Sequence, residues 1–231
     1  MPAKWTRRSF FGTASAVPIA FAQGQEAGSP ARANTVKIIG ISCSPRKDRT
    51  TAAALRVCLE AAKSAGVEIE VELIDLGGLK MNGDLAAGIP LAAGERDDFP
   101  LIEAKLRAPN VGGIIIATPV YFSSMSSLCK AFLDRWMAFR GTFALRNKVG
   151  GAVAVGAARN GGQELTLQTI HAAMFCQDMI IVSDGKPTAR LGGILVSTKD
   201  DISKDETGLA TARNLGRRVA EVALLLRKAG A

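Results

Sequence analysis

The chain has 231 residues, 48% of them hydrophobic and 22% charged, with four cysteines and a net charge of +8. This balance excludes a disordered, collagenous or disulfide-stapled chain, and no charge-free apolar run reaches the ~18 residues of a membrane span. A basic excess of this size admits anionic ligands without implying nucleic acid.

At the N-terminus, Thr6-Arg7-Arg8-Ser9-Phe10-Phe11 precedes a mildly apolar stretch from Gly12 to Ala22, and Ala20-Phe21-Ala22 offers the small-x-small pattern of a cleavage site. Arginine pair, weak apolar region and cleavage site, in that order, resemble a twin-arginine export signal over residues 1–22. The expected location is then periplasmic or exported, or cytoplasmic if the signal is not used. Residues 1–22 carry Lys4, Arg7 and Arg8 and no acid, so cleavage lowers the net charge from +8 to +5. Residues 23–34 are small and polar and read as a flexible leader. Residues 35–231 are long enough to form one domain around its own core.

Val36 to Ile41 is a short, nearly continuous apolar run, followed by a turn-rich segment from Ser42 to Asp48. Thr50 to Ala65 turns helical, with Leu55, Cys58, Leu59 and Ala62 on one face and Gly66 placed to end it. Val67 to Leu73 alternates strictly, the pattern of a strand with one buried face. Gly77 to Gly94, rich in Gly and Ala, fits neither period and reads as an excursion. Ile114-Ile115-Ile116-Ala117 is apolar throughout, as in a central parallel strand buried on both faces.

Leu128, Phe132, Trp136 and Phe139 then recur at helical spacing. Val149 to Val155 reads as a strand, Leu165 to Phe175 as a helix and Met179 to Val182 as a strand. Asp205 to Lys228 is a long closing helix with Leu209, Leu215, Val219, Val222 and Leu226 inward. Five strands and five helices in alternation argue for a parallel α/β sheet with right-handed crossovers. The alternating second strand suits an edge and the apolar first and third suit the centre. This is the 2-1-3-4-5 order of a flavodoxin-like three-layer sandwich.

In such a sheet, ligands sit beyond the carboxyl ends of the strands. After the first strand, Ser42 to Thr51 offers hydroxyls at Ser44, Thr50 and Thr51, free backbone N–H groups and a helix N-terminus, with Arg46 and Arg49 for charge-assisted contacts. That is a phosphate site, or else a polar turn with Thr50 as its N-cap. After the third strand, Pro119-Val120-Tyr121-Phe122 puts an aromatic pair among small hydroxyl residues, where a planar ring could lie; alternatively Phe122 caps the core. After the fourth, Gly156 to Glu164 carries small residues that let a backbone approach a ligand closely.

Cys43, Cys58, Cys129 and Cys176 are scattered, and His171 is the single histidine, so no metal site is expected. The basic residues are spread, and no aromatic-basic interleaving suggests a nucleic-acid groove.

Taken together, Ser44-Pro45-Arg46-Lys47 with Thr51, Pro119-Val120-Tyr121-Phe122, and Arg159-Asn160-Gly161-Gly162-Gln163-Glu164 resemble the NADPH-dependent FMN reductase family, and within it the iron–sulfur flavoprotein branch. The likeness runs from about Val36 to about Ala220. It implies a flavodoxin-like domain that binds FMN non-covalently and works as a homodimer or homotetramer. By that likeness Ser44, Arg46, Thr50 and Thr51 hold the FMN phosphate. Pro119, Val120, Tyr121 and Phe122 border the isoalloxazine ring, and Gly156, Ala157, Arg159, Asn160, Gly161 and Gly162 supply contacts to its polar edge.

Two departures stand out: Cys43 and Thr50 replace the family's usual Gly and Asn. The branch's compact cysteine cluster also has no counterpart in Gly77 to Gly94. The implied activity passes reducing equivalents from NADH or NADPH through FMN to a flavin, quinone or other small acceptor. The flavin does the chemistry, so no catalytic side chain is expected. Two other readings stand beside it. One is a non-enzymatic flavodoxin-type electron carrier, which the positive charge disfavours. The other is a phosphatase built on Cys43-x5-Arg49, a thiolate-and-arginine spacing hampered by a glycine-free loop.

Overall fold

The computed structural model describes residues 35–230. The expected export signal and leader, residues 1–34, lie outside the described residues.

Six parallel strands form one sheet: β1 (Val36–Ser42), β2 (Ile69–Asp75), β3 (Val111–Pro119), β4 (Val149–Gly156), β5 (Ile180–Ile181) and β6 (Gly193–Val196). The path β2-β1-β3-β4-β5 is the expected order, and β6 is an addition to it. β5 pairs with Val149 and Gly150, at the start of β4, and β6 with Val153 to Gly156, at its end. The fifth position of the sheet is therefore one strand in two pieces. The intervening chain carries Gly185, Pro187 and Gly192, residues that break strand geometry.

Helices cover both faces: α1 (Thr50–Lys63), α2 (Phe99–Leu106), α3 (Ser127–Asp134), α4 (Met137–Arg140), α5 (Gln163–Phe175) and α6 (Glu206–Ala229). On one face, α1 and α6 enclose Ile38, Ile115, Val153 and Leu215; on the other, Ile39, Ile114 and Ile116 pack with Phe132, Trp136 and Leu167. Because successive strand side chains point to opposite faces, the unbroken isoleucine run of β3 feeds both cores at once. Phe99, Phe132, Trp136 and Phe139 pack with centroids 5.8–6.3 Å apart, tilted at Phe99 and edge-on at Trp136. The Arg135 guanidinium lies 4.9 Å from the Phe99 centroid and pairs at 2.9 Å with the buried Asp97.

Three local expectations change. α1 ends at Lys63 with Ser64 as its C-cap, so Gly66 does not terminate it. β2 starts at Ile69 and leaves Val67 fully exposed. The helical spacing from Leu128 to Phe139 is divided between α3 and α4. The Gly77–Gly94 excursion contains one 3-10 turn, Gly83–Ala87, whose N-cap Asn82 accepts from the Asp84 N–H.

α1 and α6 meet tightly at Gly216, where an added Cβ would stand 1.9 Å from the Cys58 carbonyl oxygen. Gly216→Ala should cost about 2–3 kcal/mol in urea unfolding, because two helix backbones must part. Gly141→Ala, with nothing within 4 Å of the new methyl, serves as the control. Burial also pushes Lys148 down to about 8. Between that value and ~10.4 the unfolded chain holds more protons than the folded one, so this residue makes stability rise with pH across that window. Lys148→Met should remove that part of the rise in thermal unfolding measured from pH 7 to 10.

Candidate functional site

Three loops at the carboxyl ends of β1, β3 and β4 converge. The first is shaped by β2: the Asp75 carboxylate accepts from Asp48 N at 2.7 Å and Gly77 N at 3.0 Å. Ser44 Oγ accepts from Arg46 N at 3.1 Å, folding the turn on itself. Thr50 is the first residue inside α1, not its cap. The N-cap is Arg49, which offers no side-chain acceptor, and the first turn carries no acid. The N–H groups that open α1 thus have no capping side chain, which suits an external anion.

The second loop leaves β3 through Val120, whose N–H donates to Val155 O at 2.9 Å. Tyr121 and Ser124 exchange backbone bonds of 2.9 and 3.0 Å around a tight turn, with Phe122 and Ser123 at φ 50° and 59°. A bulky residue in the left-handed region is strained. Phe122 is also fully exposed and Tyr121 partly so, so Phe122 does not cap the core.

Ser126 ties this loop to the first. Its hydroxyl donates to Cys43 O at 2.7 Å and accepts from Cys129 N at 3.1 Å, while its N–H donates to Thr118 Oγ1 at 3.0 Å.

In the third loop the buried Gln163 amide closes the turn. Its Nε2 donates to Ala158 O at 2.7 Å, and its Oε1 accepts from Gly161 N at 2.8 Å. Gly162 has φ 97°, and an added Cβ would sit 2.5 Å from Ser123 Oγ. The second and third loops therefore touch backbone to side chain at this glycine. The Arg159 guanidinium turns to Asp205, whose carboxylate also accepts from Val196 N at 2.6 Å and Gly208 N at 3.0 Å. Asp205 so joins this loop, β6 and the start of α6.

Between the loops lies an open cleft of about 390 Å³. Arg46, Thr50, Pro119, Val120, Tyr121, Gly156 and Ala157 line it, together with Val155, Ser197, Lys199 and Asp200. Seven of the fourteen expected residues are brought together there. Ser44 and Thr51 are buried, and neither they nor Phe122, Arg159, Asn160, Gly161 and Gly162 are in its wall. The 197–200 segment was not expected. It follows β6, the strand piece whose apolar signal is only four residues long. The Arg46 guanidinium beside Asp200 holds that carboxyl below its ordinary range.

Cys43 cannot serve as a phosphatase nucleophile. It is wholly buried, and burial, with the Cys129 thiol beside it, pushes its pKa well up. His171 lies in α5 with its buried Nε2 unpartnered, away from the cleft lining.

A helix start with no capping side chain, small residues at Gly156 and Ala157, and the Tyr121 ring meet in a cleft beyond the carboxyl ends of the strands, the place where open parallel α/β proteins take their ligands. The model of the NADPH-dependent FMN reductase family matches residues 36–191, and the chain belongs to that family, which makes it an FMN-dependent NAD(P)H oxidoreductase. It is 44% identical over 197 residues, 84% of this chain and 100% of the relative, to an iron-sulfur flavoprotein of Methanocaldococcus jannaschii. It is 32% identical over 186 residues, 71% of this chain and 86% of the relative, to an NAD(P)H dehydrogenase (quinone) of Methylocella silvestris. The fold is similar to that of a flavodoxin, WrbA-like protein from Agrobacterium tumefaciens, with a TM-score of 0.56 and 21% identity over 83% of this chain and 99% of that one.

The residues of the cleft fit FMN: uncapped N–H groups, Arg46 and Thr50 suit its phosphate, and Gly156 and Ala157 leave room for the ring. They do not fit the iron–sulfur cluster named in the first relative. Cys43 and Cys129 lie in one core and Cys58 in the other, across the sheet, while Cys176 is exposed at the end of α5.

Ser126→Ala removes the hydroxyl that links the first two loops. It should lower stability by about 1–2 kcal/mol and weaken FMN binding several-fold, read by chemical unfolding and by flavin fluorescence.

Proposed function

We propose that this chain takes reducing equivalents from NADH or NADPH and passes them through FMN to a quinone or a second flavin. The observation that carries this reading is the cleft itself, with Arg46 and the uncapped start of α1 at one end and Pro119 to Tyr121 facing Gly156 and Ala157 at the other. FMN supplies the hydride and electron chemistry when bound. Arg46 and Thr50 hold its phosphate by charge-assisted bonds. Pro119, Val120 and Tyr121 flank its ring, and the Gly156–Ala157 backbone meets the polar edge. The cleft is open to solvent, so donor and acceptor take turns at one exposed face. A quinone acceptor is supported by the quinone dehydrogenase among the relatives.

The twin-arginine pattern supports export of the folded, flavin-loaded protein, and fractionation after replacing Arg7 and Arg8 by lysine tests it. Association of two or four copies is the assembly that the family resemblance supports, and sedimentation tests it.

The purified protein should show two flavin absorbance bands and release FMN in acid. NADH or NADPH under anaerobic conditions should bleach them, and added quinone should restore them. Arg46→Ala should weaken FMN binding roughly ten-fold, the order expected for losing a charged phosphate contact. A colourless protein that takes up no FMN would overturn the reading.

A further inference from the structure

Arg46 reaches the mouth of the cleft, but its guanidinium is already engaged. Nη1 donates to Asp200 Oδ2 at 3.0 Å, and Nη2 lies 2.8 Å from Oδ1, a two-point fork. Both side chains are about half exposed, so the pair is held by geometry rather than by burial.

That geometry comes from the floor of the cleft. Ser197 N donates to Gly156 O at 2.8 Å, fixing the chain as it leaves β6. Thr198 and Asp201 then exchange backbone bonds of 2.8 and 3.1 Å, with Lys199 and Asp200 both left-handed at φ 52° and 60°. Two consecutive left-handed residues without glycine form a strained turn, and it delivers a carboxylate to the one arginine that lines the cleft.

We propose that Asp200 is a counter-charge occupying the phosphate-binding arginine, which FMN must displace, so that this residue sets how tightly, and with what preference for a phosphorylated flavin, the cleft is filled. The inference rests on the FMN reading above. Carboxylate and phosphate use the same planar fork of the guanidinium. A phosphate bears close to two negative charges against one, and it is helped by the α1 N-terminus and Thr50. An exposed ion pair is weak, so the phosphate wins the exchange. A flavin lacking phosphate has nothing with which to displace Asp200 and binds with the pair intact.

The test titrates the full chain with FMN and, separately, with riboflavin, flavin fluorescence giving each dissociation constant. Asp200→Asn keeps the size of the side chain and tolerates the left-handed conformation. It should tighten FMN about two- to five-fold and leave riboflavin unchanged, and Asp200→Ser should act in the same direction. In an Arg46→Gln background the effect of Asp200→Asn should vanish. Unchanged or weaker FMN binding in Asp200→Asn would overturn the proposal, since Asp200 would then be neutral or would position Arg46. Equal tightening toward riboflavin would overturn it too, by pointing to a change in cleft shape. Failure of the unaltered protein to bind either flavin is a separate result, which removes the FMN reading itself.

Discussion

The contact between α1 and α6 at Gly216 is the constraint on which the site depends. Two helices that meet backbone to backbone have a fixed spacing, and they clamp the face of β1, β3 and β4 that carries Ile38, Ile115 and Val153. The opposite face is closed by the aromatic group around Trp136. With both faces filled, the three strands cannot slide, and their carboxyl ends stay level. Close packing of this kind transmits position with little give, so loops one residue beyond the strands begin from defined points.

What the strands fix, a few polar ties refine. Asp75 sets the first loop, Ser126 couples it to the second, Gln163 closes the third, and Asp205 holds the third to β6 and α6. Three of these four bonds satisfy buried or half-buried backbone groups that would otherwise be costly to leave unpaired. Side chains therefore build the walls, and much of what they present to a ligand is backbone and small residues. A protein whose cofactor performs the chemistry has little need of a catalytic side chain, and the cleft has the composition of a holder.

Much of this was legible in the sequence. Ile114 to Ala117 and the alternation of Ile69 to Leu73 encode centre and edge through period alone, so strand order follows. The loops after β1, β3 and β4 announce themselves by glycine, proline and hydroxyl residues at strand ends. The missing parts share a physical cause. β6 and Lys199–Asp200 come after an interrupted strand of two plus four residues, too short for any period to register. Arg159 carries a charge that suits a ligand, but Asp205, 46 residues later, takes it. Ser126 acts through a hydrogen bond to Cys43, 83 positions away in the chain, and Gln163 through bonds inside its own turn, and neither leaves a periodic trace. Val67 satisfies the alternation and still lies outside β2, because pairing with Val36 begins at Ile69.

The broken fifth strand also bears on how copies of the chain can meet. A sheet edge is a template for pairing with another strand unless it is short, bent or charged. Here one edge is two short pieces separated by a loop, and the other, β2, carries Glu70 and a Glu72 bound to Lys37 and Lys105. The first border offers no continuous ladder of free N–H and C=O groups, and the second sets carboxylates beside its free edge, which discourages an added strand. Both sheet edges therefore carry features that work against edge-to-edge pairing of two copies.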